Sequence, residues 1–139
     1  MIIPANCGRE KNVLAIGYEE GKRKMQFIKI KINDLSISKL MTQGQIISSV
    51  QDALDLISEA GSNRIIISKD NLHPDFFVLS TCLAGEILQK FSNYGFYLAI
   101  IGEFSSHTSK NLRDFIYESN KKGQILFLES EGEIADFWK

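Results

Sequence analysis

The side chains best suited to chemistry are concentrated in the loop Glu103–Ser109, whose sequence is EFSSHTS. Its candidate binding residues are Ser105, Ser106, His107, Thr108 and Ser109. Hydroxyl and backbone N–H groups beside the start of a helix can hold a small anion or a carboxylate. Alternatively, Thr108 or Ser109 only caps the following helix, and the other side chains are solvated. The residue types leave both interpretations open.

A nucleophilic site would need a serine with a base, and the sequence offers Ser80 or Ser106 with His107 and Asp70. The sequence motifs that usually accompany a nucleophilic serine are absent, because the chain has no GxSxG turn and no glycine-rich oxyanion loop. His107 also follows Ser106 directly, and sequential neighbours on one loop rarely converge on one substrate. We therefore assign no catalytic residue and expect a protein that is not an enzyme.

The composition excludes several other classes of function. The 16 Lys and Arg residues nearly balance the 17 Asp and Glu residues, which excludes a strongly basic nucleic-acid binder. No window approaches the ~18 apolar residues of a membrane span, so we expect no membrane partner. No CxxC, HxxxH, HExxH, GxxxxGK[ST] or GxGxxG pattern occurs, so neither a metal nor a nucleotide cofactor is predicted.

The length and the cysteines predict one domain in the cytoplasm. With 139 residues, 44% of them hydrophobic, the chain has enough apolar surface for one core, so we expect a single domain over residues 1–139. Cys7 and Cys82 are too few for a disulfide scaffold. Residues 1–12 lack the apolar stretch of a secretory signal, which favours the cytoplasm.

The N-terminal third alternates apolar and polar residues as strands do. Residues 12–18 and 25–32 are predicted strands, separated by a charged loop with one glycine. Asn33 and Asp34 form a turn pair, and the alternation after them predicts a further antiparallel strand. Residues 1–24 are an extension that we expect to add a strand to the sheet, because an unburied VLAI run would promote association.

From residue 48 onward, amphipathic helices alternate with buried strands. The predicted elements are a helix from Ser48 to about Gly61, a strand at Arg64–Ser68, a helix at Asp75–Ser92, a strand at Phe96–Gly102, a helix from Thr108 or Ser109 to Asn120, a strand at Gln124–Glu129 and a short helix at Glu131–Lys139. Ser48 with Gln51 has the pattern of a capping box. This order predicts βαβ units, so the expected fold is α/β with a mixed sheet that begins as an antiparallel hairpin.

The third predicted helix presents two side chains typical of an interface. Its apolar residues share an inner face, which leaves Arg113 and Tyr117 together outside at i,i+4. Such a pair is typical of an interface anchor, and a homodimer would place the patch against itself across a two-fold axis. Alternatively, the tyrosine stacks on the arginine within one chain. Asp114 and Glu118 on the same face would repel their copies in a dimer.

Several runs within Ser80–Leu128, among them LAGEILQKFSNYG and SKNLRDFIYESN, are too specific to be generic helix sequence. With SVQDALDLI and RIIISKDNL, they make the chain resemble an uncharacterised bacterial family, the domain-of-unknown-function family 4180. The resemblance covers about residues 46–139 and is weaker from residue 25. It implies the fold and no activity, because the family name carries none. The chain has Cys82 where this resemblance implies glycine after Ser-Thr.

The order of a hairpin followed by βα units is also similar to the STAS domains, the sulphate-transporter and anti-sigma-factor-antagonist modules. In the regulators of that family, a Ser-Ser-Gly-Leu motif at a helix start accepts phosphate. Ser80, Thr81, Cys82 and Leu83 resemble this motif in position and type, although the glycine is missing. The resemblance implies anion contact or phosphorylation at Ser80 and Thr81. Glu86, in the family-like run LAGEILQK, is a further candidate.

These observations predict a small cytoplasmic, non-enzymatic module that regulates or binds a protein partner or a ligand. The alternative is a small enzyme or anion sensor that uses the Glu103–Ser109 loop. The two require different surfaces. A pocket with convergent polar groups at the carboxyl ends of the strands favours the enzyme or sensor, and a flat apolar patch favours the binding module.

Overall fold

The computed structural model describes residues 25–104 and 109–139, which form one sheet and three α-helices. The strands are β1 (Phe27–Ile32), β2 (Leu35–Leu40), β3 (Arg64–Ser68), β4 (Tyr97–Ile101) and β5 (Ile125–Leu128). The helices are α1 (Val50–Glu59), α2 (Leu83–Asn93) and α3 (Lys110–Lys122). Short 3₁₀ turns lie at Lys69–Asn71, Pro74–Phe77, Leu79–Thr81 and Glu131–Asp136.

The strands lie side by side in the order β1-β2-β3-β4-β5. β1 and β2 form an antiparallel hairpin, with Phe27 opposite Leu40, and every later pair is parallel. Asn33 and Asp34 turn the hairpin with φ values of +52° and +67°, as a two-residue turn of the left-handed type requires. The predicted α/β class, a hairpin followed by βαβ units, is confirmed.

All three helices pack on the same face of the sheet. This follows from the strand order, because right-handed crossovers that always step in one direction put every helix on one side. The apolar core between the helices and the sheet has fully buried side chains from both layers, including Leu56, Ile65, Ile87, Phe91 and Ile100. Burying each of these side chains stabilises the fold by about 2 kcal/mol.

The cap of α1 lies one residue later than predicted. Ser49, not Ser48, is the N-cap, and its Oγ accepts a hydrogen bond from Asp52 N at 3.2 Å. Asp52 Oδ2 in turn accepts from Ser48 N at 2.9 Å. A carboxylate accepts from a free N–H more strongly than the amide of Gln51 would, which explains the shift. Gly61, with φ +82°, follows the end of the helix as predicted.

The long helix predicted at Asp75–Ser92 is wrong over its first half. That half forms two 3₁₀ turns, and α2 begins only at Leu83. Extended Val78 and left-handed Cys82, with φ +64°, interrupt the α-helical hydrogen bonding on either side of the second turn. The apolar spacing still predicted burial, because both turns contribute side chains to the core.

A C-terminal strap, defined as residues 130–139, crosses the opposite face of the sheet. The short helix predicted at Glu131–Lys139 is a 3₁₀ segment over Glu131–Asp136. Ile134 and Trp138 of the strap are buried in a second apolar cluster on this face. The strap thus covers sheet residues on the side away from the helices.

Hydrogen bonds fix the end of the strap to the hairpin and to the C-terminal end of α3. Asn33 Nδ2 donates to the carbonyl oxygens of Ala135 and Trp138, both at 3.0 Å. Trp138 Nε1 donates to Gly123 O at 2.7 Å. The turn residue Asn33 therefore links the first and the last described elements.

Two predictions concern residues whose structure is not described. The strand predicted at residues 12–18 and the added strand expected within residues 1–24 lie outside the described ranges. None of the helices within those ranges combines the length and the apolar character that crossing a membrane requires.

Candidate functional site

The carboxyl ends of β3 and β4 approach each other closely. A Cβ at Gly102, which follows β4, would lie 2.5 Å from Cβ of Lys69, which follows β3. Glycine at this position therefore permits the approach. Lys69 Nζ donates a hydrogen bond to Glu103 O at 2.6 Å. This bond holds the first residue of the Glu103–Ser109 loop against the end of β3.

The ammonium group of Lys69 also lies near two aromatic rings. Nζ is 5.8 Å from the ring centroid of Phe77 and 5.5 Å from that of Phe104. The two ring centroids are 6.0 Å apart. Cation–π attraction therefore adds to the hydrogen bond with Glu103. The charge of Lys69 is engaged within the chain at the point where the loop begins.

Asn71 is a buried amide that joins the end of β3 to the segment after β2. Its Oδ1 accepts from Ser68 N at 2.9 Å, and its Nδ2 donates to the carbonyl oxygens of Thr42 and Gly44, both at 2.9 Å. This residue was not among those predicted from the sequence. Its signal is the spacing of Ser68 and Asn71, a capping-box pattern directly after a strand.

Ser80 and Thr81 lie in the turn before α2, and their hydroxyl groups differ in what they contact. Thr81 Oγ1 lies 2.7 Å from Asp75 O and 2.8 Å from Val78 O, to which it donates, and it accepts from Leu83 N at 3.3 Å. The hydroxyl of Thr81 thus holds the turn and the start of α2. Both residues are exposed, but the Thr81 hydroxyl is bonded within the turn, so the hydroxyl of Ser80 is the more accessible of the two.

Cys82 stands between that turn and α2 in the left-handed region, with φ +64° and ψ +4°. Glycine adopts this conformation without the steric cost that a Cβ carries. The glycine that the family resemblance implies here thus has a physical reason, and Cys82 departs from it. The side chain of Cys82 is disulfide-bonded.

The remaining predicted binding residues are described only in part. Glu86 is half-buried in the first turn of α2. Ser109 is the N-cap of α3, and its Oγ accepts from Leu112 N at 3.3 Å, the capping role that the sequence also suggested. The other four residues of the predicted site, Ser105, Ser106, His107 and Thr108, lie outside the described ranges.

The outer face of α3 presents the predicted interface pair. Arg113 is exposed, and Tyr117 is 63% exposed, the largest exposed fraction among the large hydrophobic side chains of the described residues. The inner side of the helix is occupied, because Leu112 is buried and Phe115 packs against the core. Lys121 Nζ lies 5.3 Å from the ring centroid of Tyr117.

Two lysines accompany the carboxylates on this side of α3. Lys110 Nζ lies 2.9 Å from Asp114 Oδ2, and Lys121 Nζ lies 3.9 Å from Glu118 Oε1. All four groups are well exposed, so these ion pairs contribute little to stability. They do offset the negative charges locally. We call Lys110, Arg113, Asp114, Tyr117, Glu118 and Lys121 the α3 outer face.

A groove of about 290 Å³ lies between α2 and α3. Its lining is Leu88, Gln89, Ser92, Phe115, Glu118, Ser119, Lys122, Gln124 and Ile125. Ser92 and Lys122 are near the C-terminal ends of their helices, and Gln124 precedes β5. The groove is therefore at the amino ends of the parallel strands, away from the Glu103–Ser109 loop.

A match to the family described as Domain of unknown function (DUF4180) spans residues 32–137. It runs from the last residue of β1 into the strap and covers about three quarters of the chain. The chain belongs to the DUF4180 family. No curated protein and no solved structure matches it significantly, so the similarity to STAS domains stays an expectation.

In this DUF4180 domain, polar side chains at the strand ends bond to backbone groups. Lys69 holds the loop, and Asn71 holds the segment before α1. Thr81 accepts from Leu83 N at the start of α2, and Ser109 caps α3. Within residues 25–104 and 109–139, no group of three or more His, Cys, Asp or Glu side chains is placed to hold a metal ion. The described contacts at this edge are those of a scaffold, whereas the α3 outer face projects side chains into solvent.

Proposed function

We propose that this DUF4180 protein is a cytoplasmic, non-enzymatic regulatory module that associates with a second copy of itself through the α3 outer face. The observation that carries the proposal is the exposure of Tyr117, which is 63% accessible beside the exposed Arg113. Tyrosine and arginine give large contact areas and are enriched among the residues that dominate binding energies. An exposed tyrosine and arginine on the outer side of α3 are not required for the helix to cover the core.

The charge pattern of α3 is compatible with self-association. Asp114 and Glu118 would repel their copies across a two-fold axis, but each has a lysine beside it, at 2.9 Å and 3.9 Å. The repulsion between the two copies is therefore reduced, and it is screened further at physiological ionic strength. Tyr117 and Arg113 then contribute to the contact without an uncompensated negative patch.

A non-enzymatic role is supported by the hydrogen bonds that the polar groups near the carboxyl ends of the strands make within the chain. The hydroxyl of Thr81 and the ammonium group of Lys69 each bond to backbone oxygens of the same chain. A group that acts on a substrate must be free to bond with it. If the Thr81 hydroxyl acted on a substrate, its bonds within the turn before α2 would be lost. If the Lys69 ammonium group did so, its bond to the start of the Glu103–Ser109 loop would be lost.

Sedimentation equilibrium tests the association. We expect a dimer for the wild type, and a dissociation constant raised at least about tenfold in Arg113→Ala/Tyr117→Ala. Tyr94→Ala is the matched control, because Tyr94 is 59% exposed at the end of α2. Each protein is measured with and without reductant, since Cys82 is disulfide-bonded and cytoplasmic reductants open most disulfides. A monomeric wild type would remove the dimer, and an unaffected double variant would move the interface elsewhere.

The regulatory part of the proposal concerns Ser80. Its side chain is exposed in the turn before α2, whereas Thr81 is engaged in that turn. A phosphate on Ser80 would add a charge of about −2 close to the N-terminal end of α2, where the helix dipole favours anions. Intact-mass analysis of the protein from its native host tests this, and the absence of added phosphate mass in every growth phase would count against it.

The second candidate function is an anion sensor or small enzyme that uses the Glu103–Ser109 loop. It is favoured by one observation: the loop begins at a carbonyl held by Lys69 and ends at Ser109, the N-cap of α3. Titration with inorganic phosphate, followed by calorimetry, separates the two functions. Saturable binding that Ser109→Ala weakens and Ser49→Ala, an equivalent cap on α1, leaves unchanged would favour the sensor.

A further inference from the structure

β5 is the last strand of the described sheet, and half of its backbone groups face away from β4. Gln124 O and Leu128 O accept from Leu98 N and Gly102 N of the neighbouring segment. Alternate residues of a strand direct their N–H and C=O groups to the same side, so Leu126 also faces β4. Ile125 and Phe127 therefore direct theirs outward, where a further strand would bind.

Three of these outward groups, Ile125 O, Phe127 N and Phe127 O, are bonded to side chains of α3. Asn120 Oδ1 accepts from Phe127 N at 2.7 Å, and Asn120 Nδ2 donates to Phe127 O at 3.2 Å. Ser119 Oγ donates to Ile125 O at 2.6 Å. The carboxamide of Asn120 thus makes both hydrogen bonds that a residue of a neighbouring strand would make to Phe127.

The sequence of β5 makes such protection necessary. The run ILFL, Ile125–Leu128, has no charged residue and no proline, and both features commonly protect an exposed edge strand. An unpaired apolar edge is a template for pairing with another chain. A helix that lies beside the edge can protect it by supplying the missing donors and acceptors.

We infer that Asn120 closes the β5 edge of the sheet by replacing a neighbouring strand, and that this edge docks on β5 of a second copy once the carboxamide is removed. Asn120 is then a positioning residue for assembly, since it directs contacts between copies away from the sheet. This inference is independent of the α3 outer face, because it rests on the hydrogen bonds of the half-buried Asn120 to β5 and not on the exposed Tyr117 side chain.

Amide hydrogen exchange of the wild type tests the closed edge without any substitution. We expect Phe127 N–H to exchange within about tenfold of the rate of Leu126 N–H, which faces β4. An outward amide that is merely solvated exchanges far faster than its inward neighbour. Free exchange of Phe127 N–H in the folded wild type would overturn the inference.

Substitutions separate the two hydrogen bonds of the carboxamide. In Asn120→Ala, we expect the exchange of Phe127 N–H to accelerate at least about tenfold relative to Leu126 N–H. Asn120→Asp retains the acceptor for Phe127 N but sets a second acceptor against Phe127 O, so it also opens the edge in part. Asn111→Ala is the control, because Asn111 is exposed on the same helix.

Sedimentation velocity then tests the docking. We expect Asn120→Ala to form larger species with increasing concentration, also when combined with Arg113→Ala/Tyr117→Ala. Asn111→Ala should sediment as the wild type does. Larger species that disappear with the α3 substitutions, or an Asn120→Ala protein that sediments as the wild type does, would overturn docking at β5.

Discussion

Cys82 adopts a backbone conformation that suits glycine, and the cost of its Cβ is measurable. With φ +64°, Cys82→Gly relieves a steric conflict of about 1 kcal/mol, whereas Cys82→Ala retains it. Both variants lose the sulfur atom and with it the disulfide, so the comparison isolates the backbone. We expect Cys82→Gly to melt about 4 °C above Cys82→Ala. Equal melting temperatures would show that the left-handed conformation at this position carries no cost.

Asn71 concentrates three hydrogen bonds in one buried side chain. Asn71→Ala leaves Ser68 N and the carbonyl oxygens of Thr42 and Gly44 without this partner. We expect a loss of about 3 kcal/mol in the free energy of unfolding, measured by urea denaturation. Asn63→Ala, at an exposed position before β3, is the control and should change stability by less than about 0.5 kcal/mol. Equal losses would contradict the role assigned to Asn71.

The strap is the element whose contribution is simplest to measure, because adjacent aromatic residues in it differ in burial. Trp138 is 3% exposed and its ring lies 5.8 Å from that of Tyr97, whereas Phe137 is 41% exposed. We expect Trp138→Ala to lower the free energy of unfolding by about 3–4 kcal/mol. Phe137→Ala should lower it by less than about 1 kcal/mol. Similar urea midpoints for the two variants would mean that the strap does not stabilise the sheet.

Helices and strands were predicted correctly where the spacing of their apolar residues is compatible with only one type of secondary structure. The β-branched run Arg64–Ser68 is a strand with the predicted bounds, and α3 extends two residues beyond the predicted Asn120. The failure at Asp75–Ser92 has a physical cause, since a 3₁₀ turn and an α-helix bury similarly spaced residues. The backbone conformations of extended Val78 and left-handed Cys82 separate the two structures, and backbone dihedral angles are not visible in a sequence.

The candidate site was predictable only where it depends on one helix. The period of 3.6 residues predicted that Arg113 and Tyr117 share the outer side of α3, and both are exposed there. The bond from Lys69 to Glu103 joins residues 34 apart, so it depends on the pairing of β3 with β4. The two hydrogen bonds of Asn120 likewise require α3 to lie beside β5. The spacing of residues within one element therefore predicts neither the Lys69–Glu103 bond nor the hydrogen bonds of Asn120.

At the scale of the whole molecule, the described sheet has protection on both faces and at β5. The helices cover one face, the strap crosses the other, and Asn120 bonds to the outward groups of Phe127. The β1 strand has two exposed lysines, Lys29 and Lys31, which disfavour pairing with a further chain. Among the helical surfaces of the described residues, the α3 outer face has the most exposed aromatic residue, which is why the proposed interface is placed there.

Association through the α3 outer face is tested most directly by residue-resolved NMR spectra over a dilution series. We predict that the amide signals of Arg113 and Tyr117 shift with protein concentration, because their surroundings change when the dimer dissociates. The signals of Lys69 and Phe127 should stay constant, since they lie at the strand ends and at the closed β5 edge. Spectra that do not change with concentration, or changes centred on Lys69 or Phe127, would contradict the proposed interface.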